Sequence, residues 1–207
     1  MSERIAILTG GGDAPGLNAV IRSVVKAASH RGWETLGFHD GFEGMIDPVR
    51  YQPLTMRDLD GLLFRGGTIL GTTNRGRFTA KVGIGQQRRV PQELLLQAKQ
   101  TFESLDLRAL VCVGGDGTLA IAQQLFELGV PLVGIPKTID NDLAGTEVTF
   151  GFHSAVSCAV EAIDRLHTTA QSHDRVMVLE VMGRYAGWIA IYAGLAGGAD
   201  VILIPEI

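Results

Sequence analysis

Asp116, Asp140 and Asp142 are the residues around which a reaction could be built. Asp116 stands inside Val113-Gly114-Gly115-Asp116-Gly117-Thr118, after the apolar run Ala109 to Val113 and before Leu119 to Leu128, which has helical spacing. That order predicts a strand, a tight turn and a helix start. Glycines let a backbone approach a ligand closely. A helix start offers free N–H groups and a positive dipole end to an anion. A carboxylate at that place suits a metal ion held beside phosphates. A plain strand–turn–helix connection with Asp116 as the cap has the same letters. Asp140 and Asp142 stand in Pro136-Lys137-Thr138-Ile139-Asp140-Asn141-Asp142, which follows a strand expected over Pro131 to Ile135. Two carboxylates so close need a cation or a proton to neutralise them. One suits a base toward a hydroxyl, the other support for a metal or water. An Asx-rich turn capping the next helix is the alternative.

Three more stretches carry groups that suit anions. Thr9-Gly10-Gly11-Gly12-Asp13-Ala14-Pro15-Gly16 joins the short apolar run Arg4 to Leu8 to a helix expected over Leu17 to Ala28. It is not the dinucleotide fingerprint, because Pro15 takes the third glycine position. It is not a P-loop either, because no Gly-Lys-Ser/Thr closes it. The run Arg65 to Arg77 concentrates Gly, Thr and Arg, including Arg75, with little periodicity. A loop folded around an anion has that composition, and so does a flexible surface loop. Finally, Arg175 opens an apolar run, Val176 to Val181, which Met182-Gly183-Arg184 closes. A Gly-Arg pair at a strand end suits a phosphate or sugar.

The elements that must position these groups alternate. Strands are expected at Arg4–Leu8, Thr35–His39, Ala109–Val113, Pro131–Ile135, Val176–Val181 and Ala199–Pro205. Helices are expected at Leu17–Ala28, Glu93–Leu105, Leu119–Leu128, Phe152–Thr169 and Ala186–Ala196, with Trp188 in the core. The alternation implies an α/β fold, a doubly wound and mostly parallel sheet sandwiched by helices. Open sheets of this kind bind ligands at the carboxyl ends of their strands. The chain stops just after Ala199–Pro205, where a sheet edge still needs covering, so a truncated chain is expected.

Composition excludes several classes. Apolar residues make up 46% and charged residues 19%, which is globular and not disordered. The net charge of −4 suggests no nucleic-acid or anionic-membrane partner. Without a long apolar span or a basic leader, a cytoplasmic protein with no membrane segment is expected. Cys112 and Cys158 both lie in apolar patterns and read as buried free thiols. The histidines show no metal-ligand spacing.

Taken together, the motifs resemble the 6-phosphofructokinase family of bacterial type. The carrying stretches are Gly11 to Asn18, Arg65 to Gly71, Gly114 to Thr118, Pro136 to Asp142, Glu161 to Leu166 and Glu180 to Arg184. Gly-Gly-Asp-Gly-Thr alone is shared with other kinases. Thr-Ile-Asp-Asn-Asp with Glu-Val-Met-Gly-Arg behind it is specific.

The resemblance implies a phosphoryl donor, ATP, held by Gly11, Arg75 and the turn Gly115, Asp116, Gly117 and Thr118, with Asp116 binding Mg²⁺. It implies an acceptor, fructose 6-phosphate, lined by Thr138, Ile139 and Asp140. Asp140 is then the general base toward the 1-hydroxyl, assisted by Thr138 and Asp142. Met182, Gly183 and Arg184 match sugar-binding positions, with Arg184 stabilising the transferring group. Arg175 matches an arginine that reaches a neighbouring subunit's substrate, which implies a homo-oligomer, a dimer or tetramer. It also implies a glycolytic, allosteric enzyme, with residues 1–150 as the donor domain and 151–207 as the start of a sugar-phosphate domain. Two positions depart from the commoner pattern. In the family, a glycine at the place of Gly117 goes with ATP, whereas a lysine at the place of Lys137 is typical of enzymes that use pyrophosphate. Arg22, Lys26 and Asp200 fit the effector site, but His167 stands where that site commonly has an arginine.

Overall fold

Side chains on successive strand residues point to opposite faces, and the central strands use this fully. A computed structural model describes residues 2–73, 76–78 and 89–207. Its strands are β1 (Arg4–Thr9), β2 (Glu34–Phe38), β3 (Tyr51–Leu54), β4 (Ala109–Gly114), β5 (Leu132–Thr138) and β6 (Phe150–Gly151). Its α-helices are α1 (Leu17–His30), α2 (Gln92–Ser104), α3 (Asp116–Glu127), α4 (Phe152–His173) and α5 (Trp188–Gly197). The sheet order is β3-β2-β1-β4-β5-β6. Strands β2, β1, β4 and β5 run parallel, and β3 is antiparallel to β2. This is the doubly wound, mostly parallel α/β sheet that the alternation of elements predicts.

Two compact units divide the chain, Met1–Lys137 and Thr138–Ile207. In the first, Ala6, Leu8, Leu110 and Cys112 face one core with Phe38, Ala98, Phe102, Ile121 and Leu125. Ile7 and Val113 face a second core with Leu17, Val20, Ile21 and Val25 of α1. Both faces of β1 and β4 are therefore dry, and their sequences are continuous apolar runs. The order of winding also places a switch point. From β1 the chain moves to β2 on one side, and it later returns to β4 on the other. The carboxyl ends of β1 and β4 consequently diverge into loops, the usual ligand position in such sheets.

The second unit is built on Phe152 and Ala159 of α4 with Ile189 and Ala193 of α5, flanked by Ile139, Val156, Ile163 and Val181. Among the described residues no helix is long and apolar enough to cross a membrane.

Several expectations are corrected. Strand β5 runs on through Pro136, Lys137 and Thr138, which the sequence places in a loop. The segments Val176–Val181 and Ala199–Pro205 are not strands. A strand exists through its ladder partner, and apolar, β-branched letters do not supply one. Val176 is 93% exposed. The second segment lies along α5 instead: Ile204 sits over Gly187 and Ile202 over Gly194, while Val201 points outward. Glu206 Oε1 then accepts the Gly187 N–H at the start of α5 (2.8 Å). Trp188 is 44% exposed, so it is not core. The edge strand β3 has no counterpart in the sequence reading, because Pro53 and its polar neighbours hide it.

Cys158 is exposed and only Cys112 is buried, against the expectation of two buried thiols. Burial pushes the Cys112 thiol up to about 12. A thiolate-specific reagent at neutral pH is therefore expected to label Cys158 alone in the folded protein and both cysteines after denaturation. Thiol counting before and after guanidinium checks this, and prompt labelling of two thiols without denaturant contradicts it.

Candidate functional site

The two glycine turns of the first unit owe their shape to one side chain. Thr9 pairs with Val113 and Gly114 with Pro136, so β1 and β4 end side by side while β5 runs two residues further. Thr118, in the first turn of α3, is buried and packs against both β1 and β4. A Cβ on Gly10 would lie 2.6 Å from Thr118 Oγ1, and one on Gly114 would lie 2.4 Å from Thr118 Cβ. Bare Cα atoms at both strand ends thus allow the helix start to seat against the sheet. Gly10 N–H donates to Val113 O (2.9 Å), which ties the two turns together.

The helix start itself is left open. Gly115 is the N-cap of α3, and no side chain caps it. Asp116 is the first helical residue and is exposed, so the reading of Asp116 as the cap is wrong. The first-turn N–H groups keep their capacity for an anion. Gly117 follows in the same turn. Gly11 has a φ of 80°, a conformation that suits glycine. Lys137 closes this set from β5. It is 5% exposed, and its ammonium donates to Gly12 O (2.5 Å).

A third loop is fastened to these two. Asn18 is buried in the first turn of α1. Its Nδ2 donates to Arg65 O (2.8 Å) and Gly66 O (3.3 Å), and its Oδ1 accepts from Ile69 N (3.0 Å). The hydroxyls of Thr9 and Thr68 bond each other (2.9 Å), and Thr9 Oγ1 donates to Gly71 O (2.9 Å). Thr72 Oγ1 donates to Gly11 O (2.5 Å). The run from Arg65 to Thr72 is thus a bonded part of the site and not a free surface loop. No individual role is assigned to Asn18, Thr9 or Thr72 from their stretches of sequence; each is a polar residue in or beside a glycine turn, and only the contact distinguishes it. Arg75 lies outside the described residues.

The second unit holds the residues expected to line an acceptor. Thr138 ends β5, and its Oγ1 accepts from Asp140 N (3.2 Å). Asp140 is half-buried and Asp142 exposed. Asn141 between them has a φ of 54° and binds Thr149 and Glu147, eight and six residues along, so its bonds are not those of an Asx turn. It does not cap α4, whose N-cap is Gly151. Ile139 and Val181 pack on the same Phe152 cluster. That shared packing draws the Thr138–Asp142 turn and the Met182–Arg184 turn to one core. Gly183 has a φ of 127°, and its carbonyl accepts from Ala186 N (2.9 Å). Met182 and Arg184 are exposed, and the Arg184 guanidinium stands 4.8 Å from the centre of the Tyr185 ring. Arg175 is exposed just past the end of α4, and its N–H donates to Ala170 O (3.0 Å).

The family model for phosphofructokinase matches residues 4–207. The chain belongs to the phosphofructokinase family. It is 60% identical to the ATP-dependent 6-phosphofructokinase of Chloroflexus aggregans, over 99% of this chain and 57% of that protein. It is 52% identical to the pyrophosphate–fructose 6-phosphate 1-phosphotransferase of Streptomyces coelicolor, over 98% of this chain and 56% of that protein. Among solved structures, the phosphofructokinase of Pichia pastoris in its T-state superposes with a TM-score of 0.86 at 35% identity. That match covers all of this chain and 23% of that one. The chain therefore spans a little over half the length of the curated relatives it matches.

In this family member, the seat of Thr118 predicts a pair of coupled substitutions. Gly10→Ala is expected to destabilise the fold by about 1–3 kcal/mol through overpacking. In a Thr118→Ala background the same change should cost clearly less, because the Oγ1 and Cγ2 atoms it meets are gone. Urea unfolding of the four proteins of this cycle measures the coupling. Equal costs in both backgrounds contradict the packing described.

Proposed function

We propose that the whole protein transfers a phosphoryl group from ATP to the 1-hydroxyl of fructose 6-phosphate, giving fructose 1,6-bisphosphate. The observation that carries this reading is the pair of glycine turns at the β1/β4 switch point, one of them opening an uncapped helix that begins at Asp116. Family membership and the 60% identical relative support it. Residues 1–150 form the donor domain and 151–207 begin the sugar-phosphate domain, with the acceptor turn starting at Thr138.

Gly11, Arg75, Gly115, Gly117 and Thr118 hold the donor phosphates. Among the described residues no group of three or more His, Cys, Asp or Glu is arranged to hold a metal ion. A lone exposed carboxylate at Asp116 nonetheless fits Mg²⁺, which takes one or two carboxylates plus substrate phosphates. When bound, the ion neutralises charge on the phosphates. Phosphoryl transfer then asks for positioning in line with the acceptor. Thr138, Ile139, Met182 and Gly183 orient the sugar. Asp140 takes the proton of the 1-hydroxyl as that oxygen bonds phosphorus, the bond to ADP breaks, and Arg184 offsets the charge on the group in transit. Asp142 supports Asp140. Arg175 serves a neighbouring subunit, in a cytoplasmic homo-oligomer, a dimer or tetramer, with allosteric regulation.

Lys137 favours a second reading, with pyrophosphate as donor, because the family's pyrophosphate enzymes typically carry a lysine there. Gly117 weighs against it, since it leaves room for the nucleotide's α-phosphate. An assay for fructose 1,6-bisphosphate decides, run on the protein in its natural reading frame with Mg²⁺ and either donor. Turnover is expected with ATP. Asp140→Ala should lower kcat roughly 10²–10⁴-fold with little change in sugar KM. Gly117→Asp should abolish use of ATP, by crowding and repelling the nucleotide. Turnover with pyrophosphate alone establishes the second reading. Full turnover by Asp140→Ala removes Asp140 as the base.

A further inference from the structure

Between the two acids of the acceptor turn stands Asn141, in a left-handed conformation that few residues adopt readily. Its amide faces back into the chain. Oδ1 accepts from Thr149 N (2.9 Å), and Nδ2 donates to Glu147 O (3.3 Å). Thr149 is the buried centre of this set, at 2% exposure. Its hydroxyl also donates to Thr138 O, at 2.6 Å. The Thr149 carbonyl accepts from Phe152 N (3.3 Å), and Phe152 is a core residue of the second unit. One residue thus joins the end of β5 through its hydroxyl, the acid turn through its N–H and the root of α4 through its carbonyl.

We propose that Thr149 is a positioning residue for Asp140. Through Thr138 and Asn141 it closes the 138–149 loop on itself and fixes the direction in which Asp140 leaves β5. This rests on the reading of Asp140 as the base. The residue type fits the task. The β-branched side chain is stiff at χ1, which aims the hydroxyl. Serine retains the donor, whereas valine retains the shape and leaves the Thr138 carbonyl without it. Base catalysis depends on holding the acid within hydrogen-bond reach of the hydroxyl, so a loosened turn should act on the chemical step more than on binding.

The test uses the protein in its natural reading frame, with ATP, fructose 6-phosphate and Mg²⁺. Thr149→Val is expected to lower kcat roughly 10–100-fold while KM for both substrates stays within about twofold. Thr149→Ser should recover most of kcat. Asn141→Gly keeps the left-handed backbone and removes the amide. It should reproduce the loss, and the double variant should be little worse than either single one. Asp140→Ala is measured alongside. If Asp140→Ala is inactive and Thr149→Val is fully active, Thr149 has no positioning role and the base stands. If Asp140→Ala retains turnover, the base reading fails and the role of Thr149 falls with it. Equal losses in the valine and serine variants, or losses in KM alone, also overturn the proposal. Should Thr149→Val fail to fold, Asn141→Gly decides by the same criteria.

Discussion

The seat of Thr118 against two bare Cα atoms is the constraint on which the first unit's site depends. Helix α3 cannot stand at the ends of β1 and β4 unless the residue just past β1 and the last residue of β4 lack side chains. With Gly10 and Gly114 there, the first turn of α3 meets the sheet directly, and its N–H groups open at the switch point. The adjoining loops inherit that geometry. Gly11 sits beside the same threonine, and Thr72 holds the Gly11 carbonyl. Asn18 brings in the segment from Arg65 to Ile69. A glycine turn is permissive and by itself has no preferred shape. Here buried polar side chains remove that freedom, and each satisfies backbone groups that would otherwise be costly to bury.

The second unit solves a similar problem by different means. Its acids lie on a turn with little apolar content, which cannot be fixed by packing alone. Ile139 anchors one side of the turn in the Phe152 cluster, and Val181 anchors the segment that leads to Gly183 and Arg184. Hydrogen bonds through Thr149 do the rest. Apolar residues thus set where the two turns lie, and amide and hydroxyl groups set how the acid turn is shaped. The division is economical because apolar burial is non-directional, while a hydrogen bond demands alignment.

How far the sequence could be read follows from the range of the interactions. Strands β1 and β4 are legible as continuous apolar runs, and helices α1, α3 and α4 because burial on one face leaves a period in the letters. The glycine turns and both acids of the Thr138–Asp142 turn are legible too, since their residue types are unusual together. What escapes is set by partners far along the chain. Val176–Val181 has the letters of a strand, yet a strand needs a neighbour, and that neighbour is not encoded in the segment. Strand β5 runs past Pro136 because Pro136 pairs opposite Gly114, a register that no local pattern states. Asn18, Thr72 and Thr149 carry ordinary letters, and their part in the site lies in bonds that span from eight to sixty-one residues. Cys158 misled because its helix is apolar in pattern while that position is exposed.

The mixed donor signature has a physical side that the letters conceal. A buried ammonium is costly unless oxygens surround it, and Lys137 finds one in the Gly12 carbonyl, at the base of the first glycine turn. A lysine in that place therefore has work in the protein that is independent of any donor: it braces a loop whose glycines cannot brace themselves. Gly117 is the second residue of α3. It lies in the open first turn of α3, where the addition of a carboxylate changes the charge and the room offered to an anion. Under the proposed function, Gly117 is the position that discriminates between a nucleotide and a smaller phosphate. Lys137 is compatible with either.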